Sequence, residues 1–181
     1  MSEPLFIAAS IVVLLLGNGF FSGSEIAIIS ARRSRIEGLI ADGSRAASRV
    51  KGLQDDMDQF LATVQIGVTV VGSLASAMGG ASAVQTLTPL LKALPVPFIQ
   101  HAAEPLAIAI VVACLSYLFL VLGELAPKTI GLQYADRIAL KVAGPIHLLS
   151  VVSVAAVRLL TLSNRAVLSL FGISPKGNQA F

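Results

Sequence analysis

Leu122-Gly123-Glu124-Leu125-Ala126-Pro127-Lys128 closes a run that starts at Pro105 and stays free of charge for 19 residues, through Gly123. That is enough apolar chain for one helical span of about 20 residues, so the stretch decides the fold in favour of a membrane protein. Its inner end carries chemistry as well. Pro127 has no N–H to offer the carbonyl four residues back, and its ring crowds that carbonyl, so the Gly123 C=O is released from the helix ladder. Glu124 sets a carboxylate beside it. A negative oxygen and a free carbonyl at membrane depth suit a hard cation such as Mg²⁺ or Na⁺. The plainer reading is an i, i+4 pair of Glu124 with Lys128, with Pro127 marking a helix end. The local sequence leaves both open, although an ionisable group within a span is a functional suspect by default.

Composition agrees with a bilayer environment. The chain is 55% hydrophobic and only 13% charged over 181 residues, with a mean hydropathy of +0.84, well outside the range of a soluble domain. The net charge of +3 is small, and the basic residues sit in loops flanking apolar runs, so nucleic acid is not an expected partner. One cysteine, Cys114, excludes an internal disulfide and a Cys-rich zinc site. It is expected to serve packing.

Upstream, Pro4 to Ser24 is charge-free for 21 positions and supplies a first span. No basic region precedes it, so a cleaved signal peptide is not expected. Six basic residues lie between Arg32 and Lys51, which makes this flank cytoplasmic and turns the amino terminus outward. Between Ala31 and Asp58, apolar residues at Ile36, Leu39, Ile40, Val50 and Leu53 are spaced for short amphipathic helices along the membrane surface. The acidic group Asp55-Asp56-Met57-Asp58 precedes a helix start, where carboxylates cap N–H groups, and capping is preferred over metal binding.

Gln59 to Leu91 is a second charge-free run, of 33 residues. Within it Gly72, Ser76 and Gly80 recur at i, i+4, i+8, a spacing that allows helix backbones to approach closely in lipid. Pro89, Pro95 and Pro97 predict a turn outside the membrane between Thr88 and Glu104, with His101 as a solvated loop residue. Beyond the third span, Val142 to Val157 is apolar for only 16 residues, includes Gly144 and Pro145, and is bracketed by Lys141 and Arg158. With Arg158 and Arg165 seven apart on one face, 135–171 reads as a kinked amphipathic helix on the inner leaflet rather than a fourth span. Ser174-Pro175-Lys176-Gly177-Asn178 resembles a linker into a soluble part. The predicted fold is thus an all-α membrane protein with spans near 4–29, 59–83 and 105–127, and a juxtamembrane belt near 31–55 and 135–171.

Polar groups on the other two spans reach the level of Glu124. Asn18, Ser22 and Glu25 fall at i, i+4 and i+7 on one face of the first span. Thr63 and Gly67 lie one turn apart near the cytoplasmic start of the second. Hydroxyl, carbonyl and carboxylate oxygens without nitrogen or sulfur donors describe a hard-ion site.

Phe20-Phe21-Ser22-Gly23-Ser24-Glu25, Leu61-Ala62-Thr63-Val64-Gln65-Ile66-Gly67 and Gly123-Glu124-Leu125-Ala126-Pro127-Lys128 together resemble the transmembrane domain of the cyclin M (CNNM)/CorC magnesium transporters. The resemblance covers nearly the whole chain. It implies a homodimer in the plasma membrane, the inner membrane of a bacterium, with three spans per protomer, a juxtamembrane belt and an inward-facing Mg²⁺ site; Na⁺ is the implied counter-ion. Ser22, Thr63 (often Ser in relatives), the Gly123 carbonyl and Glu124 match the family's ligand pattern, with Glu25, Gly67 and Asn18 as further candidates. Pro127, Gly72, Ser76 and Gly80 are the structural candidates. Relatives that handle Mg²⁺ carry Asn in the second span where this chain has Val68 and Gly72, so two ligands of that pattern are absent. The resemblance also implies a cytoplasmic pair of CBS domains and a carboxy-terminal domain beyond residue 181.

Two functions compete. One is Na⁺-coupled transport of a divalent cation by alternating access. The other is a non-transporting dimeric anchor whose bound ion is sensed by the cytoplasmic domains. With no HExxH pair, nucleophile elbow or facing Asp pair in the spans, an enzyme is not expected.

Overall fold

Each long charge-free run becomes one long helix in the computed structural model, which describes residues 3–170, because a chain in lipid must close its backbone hydrogen bonds on itself. Helix α1 is Glu3–Ser30. The basic segment after it folds into α2 (Arg33–Ala41) and α3 (Arg45–Asp55). Next come α4 (Met57–Lys92), the short α5 (Pro97–His101) and α6 (Ala103–Leu120). A π-helical turn, Val121–Leu125, joins α6 to α7 (Ala126–Gln133), followed by α8 (Ala135–Val152) and α9 (Val154–Leu170). Three stretches are long and apolar enough to cross a membrane: Phe6–Ser30, Met57–Lys92 and Ala103–Gln133. This is the all-α, three-span fold that the sequence predicts.

The best-packed part of the protein is the belt. Ala27, Ile28, Ile36, Val50, Phe60 and Ile146 are buried to 1% exposure or less and share one cluster where the end of α1 meets α2, α3, α8 and the start of α4. Water drives apolar residues together here, whereas within the spans the bilayer is as good a solvent as another Leu. The spans accordingly keep Val13, Leu16, Val112 and Leu122 at least half exposed.

Local chemistry fixes the belt. Ser44 caps α3, its Oγ accepting from Ala47 N–H at 3.3 Å, after a turn at Gly43 with φ +84°, a left-handed conformation that favours glycine. Asp56 caps α4 through Gln59 N–H at 3.4 Å, as expected for the acidic group. Gln54, buried in α3, donates its Nε2–H groups to the carbonyls of Ile28 (2.8 Å) and Ala31 (3.1 Å). It thereby satisfies the Ile28 carbonyl in the last turn of α1 and the Ala31 carbonyl just beyond it.

Several boundaries differ from expectation. The second span runs past residue 83 and past Pro89 to Lys92, because a proline deletes a single N–H and disturbs a single carbonyl without forcing the chain to turn. The turn is confined to 93–96, and the exposed His101 closes α5, its Nδ1 2.7 Å from Pro97 O. Cys114 is exposed on α6 rather than packed within the protomer. In the fourth apolar segment, Gly144 and Pro145 lie inside an unbroken α8, and a 64° bend falls between α8 and α9 instead. Only if that bent pair is counted as one element does a fourth candidate span arise. The side chain of Arg165 and the linker-like ending at 174–178 lie outside the described residues.

Candidate cation site

The third span departs from α-helical geometry at the stretch that carries Glu124. Ala126 N–H bonds to Val121 O, five residues back, the signature of a π turn. Pro127 follows directly, packed on the first span: a Cβ placed on Gly19 would lie 3.0 Å from Pro127 Cγ, and one on Gly23 would lie 3.2 Å from Pro127 O. Still closer, a Cβ on Gly131 would lie 2.5 Å from Gly23 O. Gly19, Gly23 and Gly131 therefore let α1 and α7 touch backbone to backbone. That contact brings the Asn18–Ser22 face of α1 against Gly123.

At the contact, the carbonyl that Pro127 cannot bond has a partner from another helix. Asn18 Nδ2 donates to Gly123 O at 2.9 Å, and both residues are buried. The same environment leaves two oxygens without a hydrogen-bond partner: Asn18 Oδ1 and Ser22 Oγ, on residues 5% and 2% exposed. Ser24 Oγ, likewise buried, also lacks one. Buried polar atoms are nearly always satisfied, so the unpartnered Asn18 Oδ1, on the amide that bonds the Gly123 carbonyl, is an acceptor that packing does not use.

Thr63 is buried at 2% exposure, with its hydroxyl proton directed at Gln59 O, 2.8 Å away in its own helix. Its oxygen lone pairs remain able to accept. Glu124 is not enclosed. Its side chain is 45% exposed and Oε1 is 2.7 Å from Lys128 Nζ, so the i, i+4 pair left open by the sequence is formed. Glu25 is half-buried on α1, with no cation within ion-pair reach among the described residues. Gly67 is occupied by packing, since a Cβ there would lie 2.5 Å from the Phe21 ring.

The Gly72-Ser76-Gly80 stripe does not make the close helix contact expected of it within the protomer. A Cβ on Gly72 or Gly80 meets nothing within 4 Å. These residues line an open cavity of about 310 Å³, together with Asn18, Val68 and Ser116. The small residues of α4 that do meet another helix are Ala75 and Gly79, the latter against Ile11. One residue along a helix is 100° around it, and the tight face is offset by that step. The signal for the real crossing was present in Gly19 and Gly23, also four apart.

A helical bundle with three apolar spans, and a π turn in the third held by Asn18 of the first, defines a multi-pass membrane protein. The chain belongs to the cyclin M family: the cyclin M transmembrane N-terminal domain matches residues 9–181. It is 44% identical to a UPF0053 protein of Synechocystis sp. over 92% of its length, covering 37% of that relative. The Bacillus subtilis UPF0053 protein YhdT is 33% identical over 90% of the chain, which covers 35% of it. The Escherichia coli UPF0053 inner membrane protein YfjD is 28% identical over 86% of the chain, which covers 33% of it. The chain thus spans about a third of the length of these relatives.

Proposed function

We propose that this domain carries a divalent cation, Mg²⁺, across the bacterial inner membrane, coupled to Na⁺, through Ser22, Thr63, the Gly123 carbonyl and Glu124. Membership of the cyclin M family supports this reading, and the inner-membrane name of the Escherichia coli relative supports the location. The observation that carries it is the Gly123 carbonyl, released by Pro127 in a π turn and held by a side chain from another span. A donor set made only of oxygens suits a hard cation. The amino terminus then faces outward, because the basic belt stays inside.

In this arrangement each of the two strongest oxygen donors already has a positive partner. The Asn18 amide N–H occupies Gly123 O and the Lys128 ammonium occupies Glu124 Oε1. A cation entering the site takes both places. Asn18 then turns its amide N–H away from Gly123 O without moving a helix. Lys128 retreats to the membrane surface on its flexible stem. No bond of the cargo is made or broken, so the protein is no enzyme. A second copy seated on the open face around Gly72 and Gly80 would form the homodimer, and the CBS domains would follow residue 181.

The test is Mg²⁺ flux into proteoliposomes containing the full-length protein. Glu124→Ala is expected to abolish uptake, and a rate equal to wild type would overturn the site. A second reading, an ion-sensing dimeric anchor, is favoured by Val68 and Gly72 standing where related transporters carry Asn. Calorimetric Mg²⁺ binding without flux under either gradient would select it.

A further inference from the structure

A cavity of about 570 Å³ lies away from the cation site, where the end of α1 and the start of α2 face the junction of α7 and α8. Ser30 and Gln133, the last residues of the first and third spans, both line it. Its mouth therefore sits at the level where hydrocarbon gives way to lipid headgroups. Arg32, Arg35 and Arg137 line it against a single acid, Asp136.

That acid is shared and fixed. Asp136 Oδ1 accepts the Arg32 backbone N–H at 3.0 Å, and Oδ2 accepts the Arg32 guanidinium at 2.9 Å. Arg35 Nε lies 3.6 Å from the same oxygen. One carboxylate thus orients two guanidinium groups and neutralises one charge. Arg137 has no acid within ion-pair reach among the described residues. Two positive charges are left over in a walled recess, and guanidinium forks match the oxygens of a phosphate. The lining includes exposed apolar groups: Leu132 and Tyr134 are 62% and 48% exposed, and Ile29, 44% exposed, precedes the lining residue Ser30 in the chain. Exposed Ile and Leu beside a tyrosine at the end of a span are what acyl chains and the interface select.

We infer that this cavity is a binding site for the phosphate headgroup of an anionic phospholipid, held by Arg32, Arg35 and Arg137 with its acyl chains along the ends of the first and third spans. Basic recesses at the cytoplasmic ends of spans take anionic headgroups by this chemistry. The exposed apolar groups favour a tethered phosphate over a free one. A lipid bound there braces α1 against α7 and α8, the elements that aim Asn18 and Gly123 at each other.

The test is native mass spectrometry of the full-length protein in detergent, with phosphatidylglycerol and phosphatidylcholine offered in equal amounts. Phosphatidylglycerol should be retained preferentially. Its affinity should fall roughly fivefold for each arginine removed in Arg137→Gln and in Arg35→Gln/Arg137→Gln. Both arginines are exposed, so these variants should fold. Arg45→Gln, an exposed basic residue outside the cavity, should match wild type. Equal retention of the two lipids, or retention indifferent to both variants, overturns the inference. Displacement of the lipid by millimolar inorganic phosphate overturns the lipid assignment and gives the cavity to a free anion.

Discussion

Asn18 Nδ2 lies 2.9 Å from Gly123 O, a hydrogen bond between residues 105 positions apart that closes a valence opened by Pro127. It connects the first span to the third at the one point where the third leaves α-helical geometry. Asn18→Ala removes the donor and leaves a buried carbonyl unpaired, a loss of about 1–3 kcal/mol. The melting temperature of the full-length protein should fall without Mg²⁺. If a cation competes with Asn18 for the same oxygen, saturating Mg²⁺ should recover more stability in the variant than in wild type. Equal recovery in both would remove Gly123 O from the ligand set.

Lys128 separates the two readings of Glu124. A half-exposed i, i+4 pair contributes only about 0.3–0.5 kcal/mol to folding, so Lys128→Gln should leave the melting temperature nearly unchanged. If the ammonium holds a cation's place at Glu124 Oε1, the same variant should bind Mg²⁺ several-fold more tightly, read by calorimetry. Unchanged affinity would make the pair a helix-end feature and nothing more.

Which parts were legible follows from how far each signal reaches. The spans were readable because a charge-free run longer than the bilayer has no other stable home. The release of Gly123 was readable because proline's effect is local, acting four residues back. What satisfied that carbonyl was not, since the identity of the donor depends on the rotation of α1 against α7. The i, i+4 spacing puts Asn18 on the right face as a possible ligand, and the structure shows it as the donor. The small-residue crossing inside the protomer falls elsewhere for a related reason. Gly19/Gly23 and Gly72/Ser76/Gly80 share one spacing, and spacing alone does not say which pair has a partner helix across from it. The kink expected within 135–171 is present, but its position is not written in the helix breakers: α8 passes through Gly144 and Pro145 and the chain bends beyond Val152.

The glycines give a contrast that tests the crossing. Gly131→Ala would place a methyl 2.5 Å from Gly23 O, a backbone atom that cannot rotate away, so α1 and α7 must separate. Overpacking of this kind costs about 1–3 kcal/mol, and here it also pulls Asn18 from Gly123. Gly72→Ala and Gly80→Ala meet open space in the protomer, inside α4, and should leave its melting temperature unchanged or slightly raised, since Ala is the better helix former. A shift in oligomeric state for the latter two, seen by light scattering, would place the partner copy on that face. Equal melting temperatures for all three variants would refute the α1–α7 contact.

Asp136 supplies a pH-dependent contribution to the belt. The Arg32 backbone N–H, and after it the Arg32 and Arg35 guanidinium groups, hold its carboxyl below the usual value of 3.8, against the opposing effect of burial. Since the folded value is the lower one, the stabilisation is complete above the unfolded value and is lost as pH falls through the folded one. Asp136→Asn should cost about 1–2 kcal/mol at neutral pH, by loss of charge-assisted hydrogen bonds to an arginine that is itself largely exposed. Thermal unfolding of wild type and variant from about pH 3 to 7 should show a constant gap down to about pH 4 and a narrowing gap below it. A gap unchanged across the acid range would mean that the carboxylate charge does not hold the start of α2 to α8, and that the contact rests on packing alone.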